Sequence, residues 1–491
     1  MAAGWNHSLA LKSNRAVIAW GGDGAGQCDV PSGLSGVMAV SAGTNNSLAL
    51  KSDGTVIAWG ANKQGQFDVP EGLNLGGMPS NHTISRKRNT PSPTVNAAFT
   101  AGTYKVNLPV NINKEKNSIT ASLSEDILNK AFDKAKPGSD GVKTAKAEMP
   151  EVQGVDTYVL QLPATALALE KQDKKIEMAS ETGTITLPGN MLEGMGLENN
   201  GDVGISIGKT DISRLPQDVQ DSIGENPVVE LKLTSGGKTI EWNNPDAPVT
   251  VSIPYIPTAE ELANPEHITV WYIDGSGKAV SVPNGRYDPA TGMVTFSTTH
   301  FSNFAVVYVT ITFEDLGNVG WAKEQIEVLA SKGIVRGMSE KEYAPQANIT
   351  RADFLCFLVR TLGVDAKVNG NFDDINSDSY YYKEIAIAKR LGITSGTGNN
   401  RFSPDASITR QDMMVLTERT LRMLSRLKAQ VSASDLDKFA DKSLVATYAV
   451  DSIAALVKEG LIVGGGDNVN PLGNTTRAEA AVFLYRIYNK Y

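Results

Sequence analysis

The chain has 491 residues, 41% of them hydrophobic, which predicts several domains rather than one core. Its net charge of -8 argues against nucleic acid as a partner, because phosphate binding needs a basic surface. No apolar run is long enough to cross a membrane. The two cysteines, Cys28 and Cys356, fall in segments read as different domains, so no disulfide is expected.

Residues 1–74 carry two copies of one pattern. The run from Ala3 to Ser13 returns from Ala42 to Ser52, Trp20-Gly21 as Trp59-Gly60 and Val30-Pro31 as Val69-Pro70, a period of 39 residues. That length, with Gly-rich turns, fits short strands in a propeller blade rather than a helical repeat. The segment Trp59-Gly60-Ala61-Asn62-Lys63-Gln64-Gly65-Gln66 resembles the regulator-of-chromosome-condensation type of repeat; the first copy departs from it with Asp23 in place of Asn62. Such repeats bury their faces only against neighbours, so two blades do not close a propeller. The first copy also lacks the Val40-Ser41 lead-in, and Met1 runs directly into Ala2-Ala3-Gly4-Trp5 without a signal peptide. The expectation is a truncated gene product that has lost further blades and an export signal; the alternative is a divergent two-repeat module. A protein is the expected partner of the blades.

Residues 75–95 read as a linker, with Gly76-Gly77, a basic triplet Arg86-Lys87-Arg88 and Pro91-Ser92-Pro93. Residues 96–310 read as β-rich. Strands are predicted at 104–112, 157–162, 184–187, 228–233, 249–253, 268–273 and 293–296. A helix capped by Ser124 would bury Ile127, Leu128, Ala131 and Phe132. Turn signals at 274–277 and at Asn284-Gly285 complete the pattern of an antiparallel β-sandwich, with a division considered near residue 190.

The remainder repeats three times, over 311–366, 367–430 and 431–491. Phe313-Glu314-Asp315, Phe372-Asp373-Asp374 and Phe439-Ala440-Asp441 open the copies, and Arg351, Arg410 and Arg477 each follow the last residue of the opening by 36. Trp321, Tyr380 and Tyr448 each stand 12 before Gly333, Gly392 and Gly460, which begin loops ending at Gly337, Gly396 and Gly464. Each copy reads as helix, loop, helix, the second helix starting at Thr350-Arg351, Thr409-Arg410 or Thr476-Arg477 with an acid three residues after the threonine, a capping-box pattern. A cation at a helix start is mildly unfavourable, by ~0.3–1 kcal/mol, unless something anionic sits beside it. Its threefold recurrence points to a carboxylate or phosphate site; pairing with a neighbouring Asp or Glu is the alternative reading.

These copies resemble S-layer homology domains, and Ile349-Thr350-Arg351-Ala352-Asp353 resembles the signature of that family. The resemblance covers 311–491, with Gln411 and Thr475 departing from the pattern. It implies an all-α pseudo-threefold bundle whose inter-repeat grooves bind a pyruvylated secondary cell-wall polymer of Gram-positive bacteria. Arg351, Arg410 and Arg477 would grip the carboxylate. Trp321, Tyr380 and Tyr448 would line the grooves or serve as core. Gly337, Gly396 and Gly464 would let backbone approach the sugar.

One further motif stands at the end of the β-rich region. His300-Phe301-Ser302 before a last strand resembles the cleavage site of GAIN-type self-cleaving domains, with Ser302 as nucleophile and His300 as base; a merely structural turn is the alternative. The other histidines, His7, His82 and His267, are scattered, and no metal or cofactor is expected. Taken together the sequence predicts an exported, extracellular wall-anchored protein, not an enzyme. The alternatives are self-cleavage between Phe301 and Ser302, or an anchor whose catalytic region is missing.

Overall fold

The computed structural model describes residues 2–12, 16–31, 34, 37–51, 55–61, 96–170, 172–197, 201–427, 431–462 and 466–491. The expected linker at 75–95, the end of the second N-terminal repeat from Asn62 onward, and Gly464 lie outside them. Two compact units result, Met1–Ser92 and Pro93–Tyr491.

In the first unit each repeat forms a three-stranded antiparallel sheet. Strands β1 (Ala2–Ala3), β2 (His7–Leu11) and β3 (Val17–Gly21) make one; β4 (Val37–Ala42), β5 (Asn46–Lys51) and β6 (Val56–Gly60) make the other. Alternation decides which side is buried. His7 and Leu9 point inward from β2, and Leu9 packs with Val37, Ala49 and Trp59 of the second repeat.

The second unit begins with β7 (Asn96–Ala101), β8 (Tyr104–Asn113), β9 (Ser118–Ser122) and α1 (Glu125–Lys134). Then come β10 (Lys143–Glu148), β11 (Thr157–Pro163), β12 (Lys174–Ala179), β13 (Thr184–Pro188) and β14 (Asp202–Lys209). After α2 (Gln217–Ile223) follow β15 (Val228–Ser235), β16 (Lys238–Ile240) and β17 (Val249–Pro254). After α3 (Ala259–Ala263) follow β18 (Ile268–Ile273), β19 (Ala279–Val282), β20 (Arg286–Asp288), β21 (Met293–Thr298) and β22 (Asn303–Tyr308).

The strands hydrogen-bond in the order β19-β18-β22-β15-β14-β11-β9-β8-β7-β10-β12-β13-β17-β21-β20, with β16 beside β15. The two ends of this path, β19 and β20, are consecutive in the chain, so the sheet turns back around one core. That core holds Phe99, Leu108, Tyr158, Leu187, Ile205, Trp242, Phe296 and Phe304, so residues from both sides of position 190 contribute to it. The expected all-antiparallel pairing is corrected at two places: β9–β11 and β10–β12 run parallel. Parallel neighbours need a long crossover. Here α1 and β10 separate β9 from β11, and β11 in turn separates β10 from β12. Helix α1 forms as expected, with Ser124 Oγ accepting from the Ile127 amide; Leu128, Ala131 and Phe132 are buried, whereas Ile127, in the first turn, is only half-buried.

The helical region contains α4 (Lys323–Ser331), α5 (Arg351–Leu362), α6 (Tyr382–Arg390), α7 (Arg410–Met423), α8 (Val450–Lys458) and α9 (Arg477–Lys490). Gly333, Gly392 and Gly460 follow the shorter helices with φ of 70°, 71° and 73°, the left-handed turn that ends a helix without a Cβ penalty. The residues before the three Thr-Arg pairs bond in a closed ring. The Ile349 amide donates to Thr475 O (2.9 Å), Thr475 to Ile408 O (3.3 Å) and Ile408 to Ile349 O (3.2 Å). This ring gathers the starts of α5, α7 and α9 at one place.

The helices are docked on the strands. Lys332, at the end of α4, is fully buried, and its Nζ donates to Ile268 O (2.6 Å) and Gly285 O (2.7 Å). Beside it His267 Nδ1 lies 2.8 Å from Ser331 Oγ, Tyr485 donates to Glu266 (2.6 Å), and the Arg286 guanidinium lies over the Tyr488 ring at 3.9 Å. Burial brings the Lys332 amine down to about 7, with Arg286 pushing the same way and Glu266 opposing. A neutral amine keeps two hydrogens, which matches its two carbonyl partners. Between about pH 7 and the ordinary lysine range near 10.4 the unfolded chain therefore holds a proton that the folded chain does not, so stability rises with pH across that window. The urea midpoint of the wild type should climb from pH 7 to pH 9 relative to that of Lys332→Met. Parallel pH curves for the two would refute this.

Candidate polymer-binding clefts

Thr350, Thr409 and Thr476 cap the three long helices, their hydroxyls accepting from the amides of Asp353 (3.0 Å), Asp412 (3.3 Å) and Glu479 (3.2 Å). Only Glu479 returns the bond, to the Thr476 amide at 2.9 Å, because its side chain is one methylene longer than aspartate. The arginine after each cap is held by the loop of another repeat. Arg351 Nε donates to Phe402 O (3.3 Å), Arg410 Nε to Val469 O (3.0 Å) and Arg477 Nε to Tyr343 O (2.9 Å). The aspartates of the opening triplets fix those loops. Asp315 accepts from the amides of Tyr343 and Ala344, Asp374 from Phe402 and Ser403, and Asp441 from Val469 and Asn470. Their fixed distance from the arginines was visible in the sequence; their task of positioning the arginines was not.

The fixed positions sort into three sets, the first two each drawing an arginine, an acid and an aromatic from three different repeats. In the first, Arg477 Nη1 pairs with Asp353 Oδ2 at 2.7 Å and Nη2 donates to Arg336 O at 2.5 Å, while the Tyr380 hydroxyl donates to Asp353 Oδ1. In the second, Tyr448 donates to Asp412 Oδ1 (2.8 Å) and Thr409 Oγ1 to Asp412 Oδ2 (2.8 Å). Both oxygens of Asp412 are thereby engaged, and among the described residues Arg351 has no ion pair; its guanidinium lies 5.1 Å from the Phe402 ring centre. Burial holds Arg351 below the ordinary arginine value, with Asp412 and Tyr448 drawing it partly back. A desolvated cation compensated so incompletely favours an incoming anion. In the third, Arg410 Nη1 of repeat 2 is 3.6 Å from Glu479 Oε1 of repeat 3.

Several expected roles change. Arg477 is 2% exposed and spent on Asp353 and two carbonyls, so the pairing alternative holds for it and not for Arg351. Gly337 and Gly396 serve their own loops. A Cβ on Gly337 would meet Ser339 O at 2.3 Å and Phe313 at 2.6 Å; on Gly396, Arg401 O at 2.2 Å and Phe372 at 2.7 Å. Trp321, Tyr380 and Tyr448 are not core, their exposures being 58%, 37% and 56%. Among the described residues His300 and Ser302 share no hydrogen bond: Ser302 Oγ donates to Ile273 O at 2.8 Å, and the His300 ring stands edge-on to Tyr272, its buried Nε2 meeting no hydrogen-bond partner among those residues.

Comparison with known families agrees with this arrangement. Residues 312–355, 371–414 and 438–481 match the S-layer homology domain, and 1–27 and 38–66 match the regulator of chromosome condensation (RCC1) repeat. Three S-layer homology domains form the C-terminal region of this chain. The chain is 30% identical over 321 residues to an amylopullulanase of Thermoanaerobacterium thermosulfurigenes, covering 65% of this chain and 16% of that protein. It is 29% identical over 171 residues to the surface-layer 125 kDa protein of Lysinibacillus sphaericus, covering 34% of this chain and 14% of that protein. It is also 29% identical over 175 residues to the S-layer protein sap of Bacillus anthracis, covering 35% and 21%. The chain therefore spans less than a quarter of each of these relatives. Among the described residues no helix is long and apolar enough to cross a membrane.

Proposed function

We propose that this chain attaches a surface protein noncovalently to the bacterial cell wall, and that the cleft around Arg351 takes the pyruvylated sugar of an anionic secondary wall polymer. The S-layer homology domains and the two S-layer relatives support wall anchoring. One observation carries the choice of cleft: Arg351 is a partly buried guanidinium with an exposed tyrosine, Tyr448, nearby and, among the described residues, no acid in ion-pair range, whereas Arg477 is already neutralised. A ketal-linked carboxylate fits a planar fork, and a sugar ring fits an aromatic face. Two of the clefts join three repeats, which supports a pseudo-threefold bundle as the binding unit. A second reading, an anchor for an enzyme lying outside this sequence, is favoured by the amylopullulanase match, which is longer than the helical region.

The test is co-sedimentation of the full chain with purified Gram-positive wall sacculi. Binding should disappear when the secondary polymer is stripped. It should fall sharply when the pyruvate ketals alone are hydrolysed. Full binding to stripped sacculi would overturn anchoring through the polymer; full binding to depyruvylated sacculi would overturn the assignment of the acid.

A further inference from the structure

Strands and helices do not close flush where they dock. Gly333, after α4, approaches β19 so closely that a Cβ on it would meet the Ser281 Cβ at 2.6 Å. A Cβ on Gly363, after α5, would meet Asn284 Nδ2 at 3.4 Å. Lys332 ties the same joint through its bonds to Ile268 O and Gly285 O. Around these contacts a cavity of about 440 Å³ is left, a volume ordinary for a small-molecule site. Tyr272, Thr299 and His300 line it from the strand side, and Asp365 and Lys383 from the helical side. The docking that holds the two parts together therefore also preforms the cavity.

The charges along this cavity cancel in pairs. Arg360 Nε meets Glu384 Oε1 at 2.7 Å, and Lys383 Nζ lies 3.5 Å from Asp365 Oδ2, which also accepts from Thr299 Oγ1 at 3.1 Å. An ionic ligand would have to break one of these pairs and strand the partner left behind. A hydroxyl both donates and accepts, so it can bind the Asp365 carboxylate and the Lys383 ammonium together without separating them. Burial, helped by Lys383 and opposed by Asp365, holds the His300 ring below its ordinary value, so it adds no charge at neutral pH. Tyr272, edge-on to that ring, supplies an aromatic surface for an apolar C–H face. The chemistry that matches is uncharged, rich in hydroxyls and apolar on one side.

We propose that the cavity between the strands and the helices binds a neutral saccharide of roughly one or two rings, its hydroxyls at Asp365 and Lys383 and its ring face towards Tyr272. The site shares no residue with the cleft around Arg351, and it takes an uncharged sugar where that cleft takes an acid.

Isothermal titration calorimetry of the full chain with chitobiose, cellobiose and maltose tests this, since all three probes are uncharged. The expected result is saturable binding of at least one of them. Lys383→Ala and Asp365→Ala should each weaken it about tenfold or more, the worth of one charged hydrogen bond. Lys383→Ala should keep the wild-type circular dichroism and melting curve, because that side chain is 67% exposed. Competition by depyruvylated wall polymer would assign the sugar to the wall, and indifference to that polymer would assign it to a free saccharide. No saturable binding of any probe overturns the proposal, as does wild-type affinity in both variants. Sedimentation with pyruvylated sacculi reads the arginine cleft separately, so either site can fail without the other.

Discussion

Arg477→Ala is expected to lower the stability of the helical region by about 3–5 kcal/mol, because it strands a buried carboxylate without its cation. Arg477 holds Asp353 at 2.7 Å and the Tyr343 and Arg336 carbonyls at 2.9 and 2.5 Å, all in repeat 1, while itself starting the long helix of repeat 3. Burial already keeps the Asp353 carboxyl above its ordinary range against the pull of Arg477 and Arg336. Without Arg477 it would rise further. A carboxyl raised above its unfolded value makes the folded state bind the extra proton, so stability returns as pH falls from neutrality towards the ordinary carboxylate range. Urea unfolding of wild type and variant at pH 7 and pH 5 should therefore show a gap that narrows with acid. A gap under about 1 kcal/mol at pH 7, the scale of an exposed pair, would show that the pair is not the brace described here.

Arg351→Ala should do the opposite: leave stability nearly unchanged and remove wall binding. Its structural ties are one carbonyl at 3.3 Å and the Phe402 ring. A charged hydrogen bond to the ligand is worth about 1.5–3 kcal/mol, or roughly 10–150-fold in affinity. Arg410→Ala should cost less, because Glu479 at 3.6 Å already competes for that guanidinium. Titration with solubilised wall polymer would rank the variants. Wild-type affinity in Arg351→Ala together with loss in Arg410→Ala would move the site to the third cleft.

Much of the fold was legible because it rests on local periodicity. All seven strands expected in the middle region occur, and the helix capped by Ser124 occurs with its buried stripe. The parallel pairs β9–β11 and β10–β12 were not legible, because strand direction depends on where the crossover lands rather than on alternation along one strand. The clefts were half legible. Spacing revealed three equivalent arginines, yet equivalence of position did not give equivalence of surroundings. Asp412 turns its second oxygen to Thr409, whereas Asp353 turns its own to Arg477. No pattern in one chain distinguishes those two rotamers. Likewise, the Gly337 and Gly396 positions looked like room for a sugar but are filled by the phenylalanines that open each repeat.

Because two of the clefts borrow their arginine, acid and aromatic from three separate copies, and because the Ile349–Thr475–Ile408 ring ties all three helix starts together, the heritable module here is the triplet. Deleting any one copy from the gene would breach at least two clefts and open the ring, rather than subtract a third of the adhesion. Recombination would transmit such an anchor to a new protein only as a complete set.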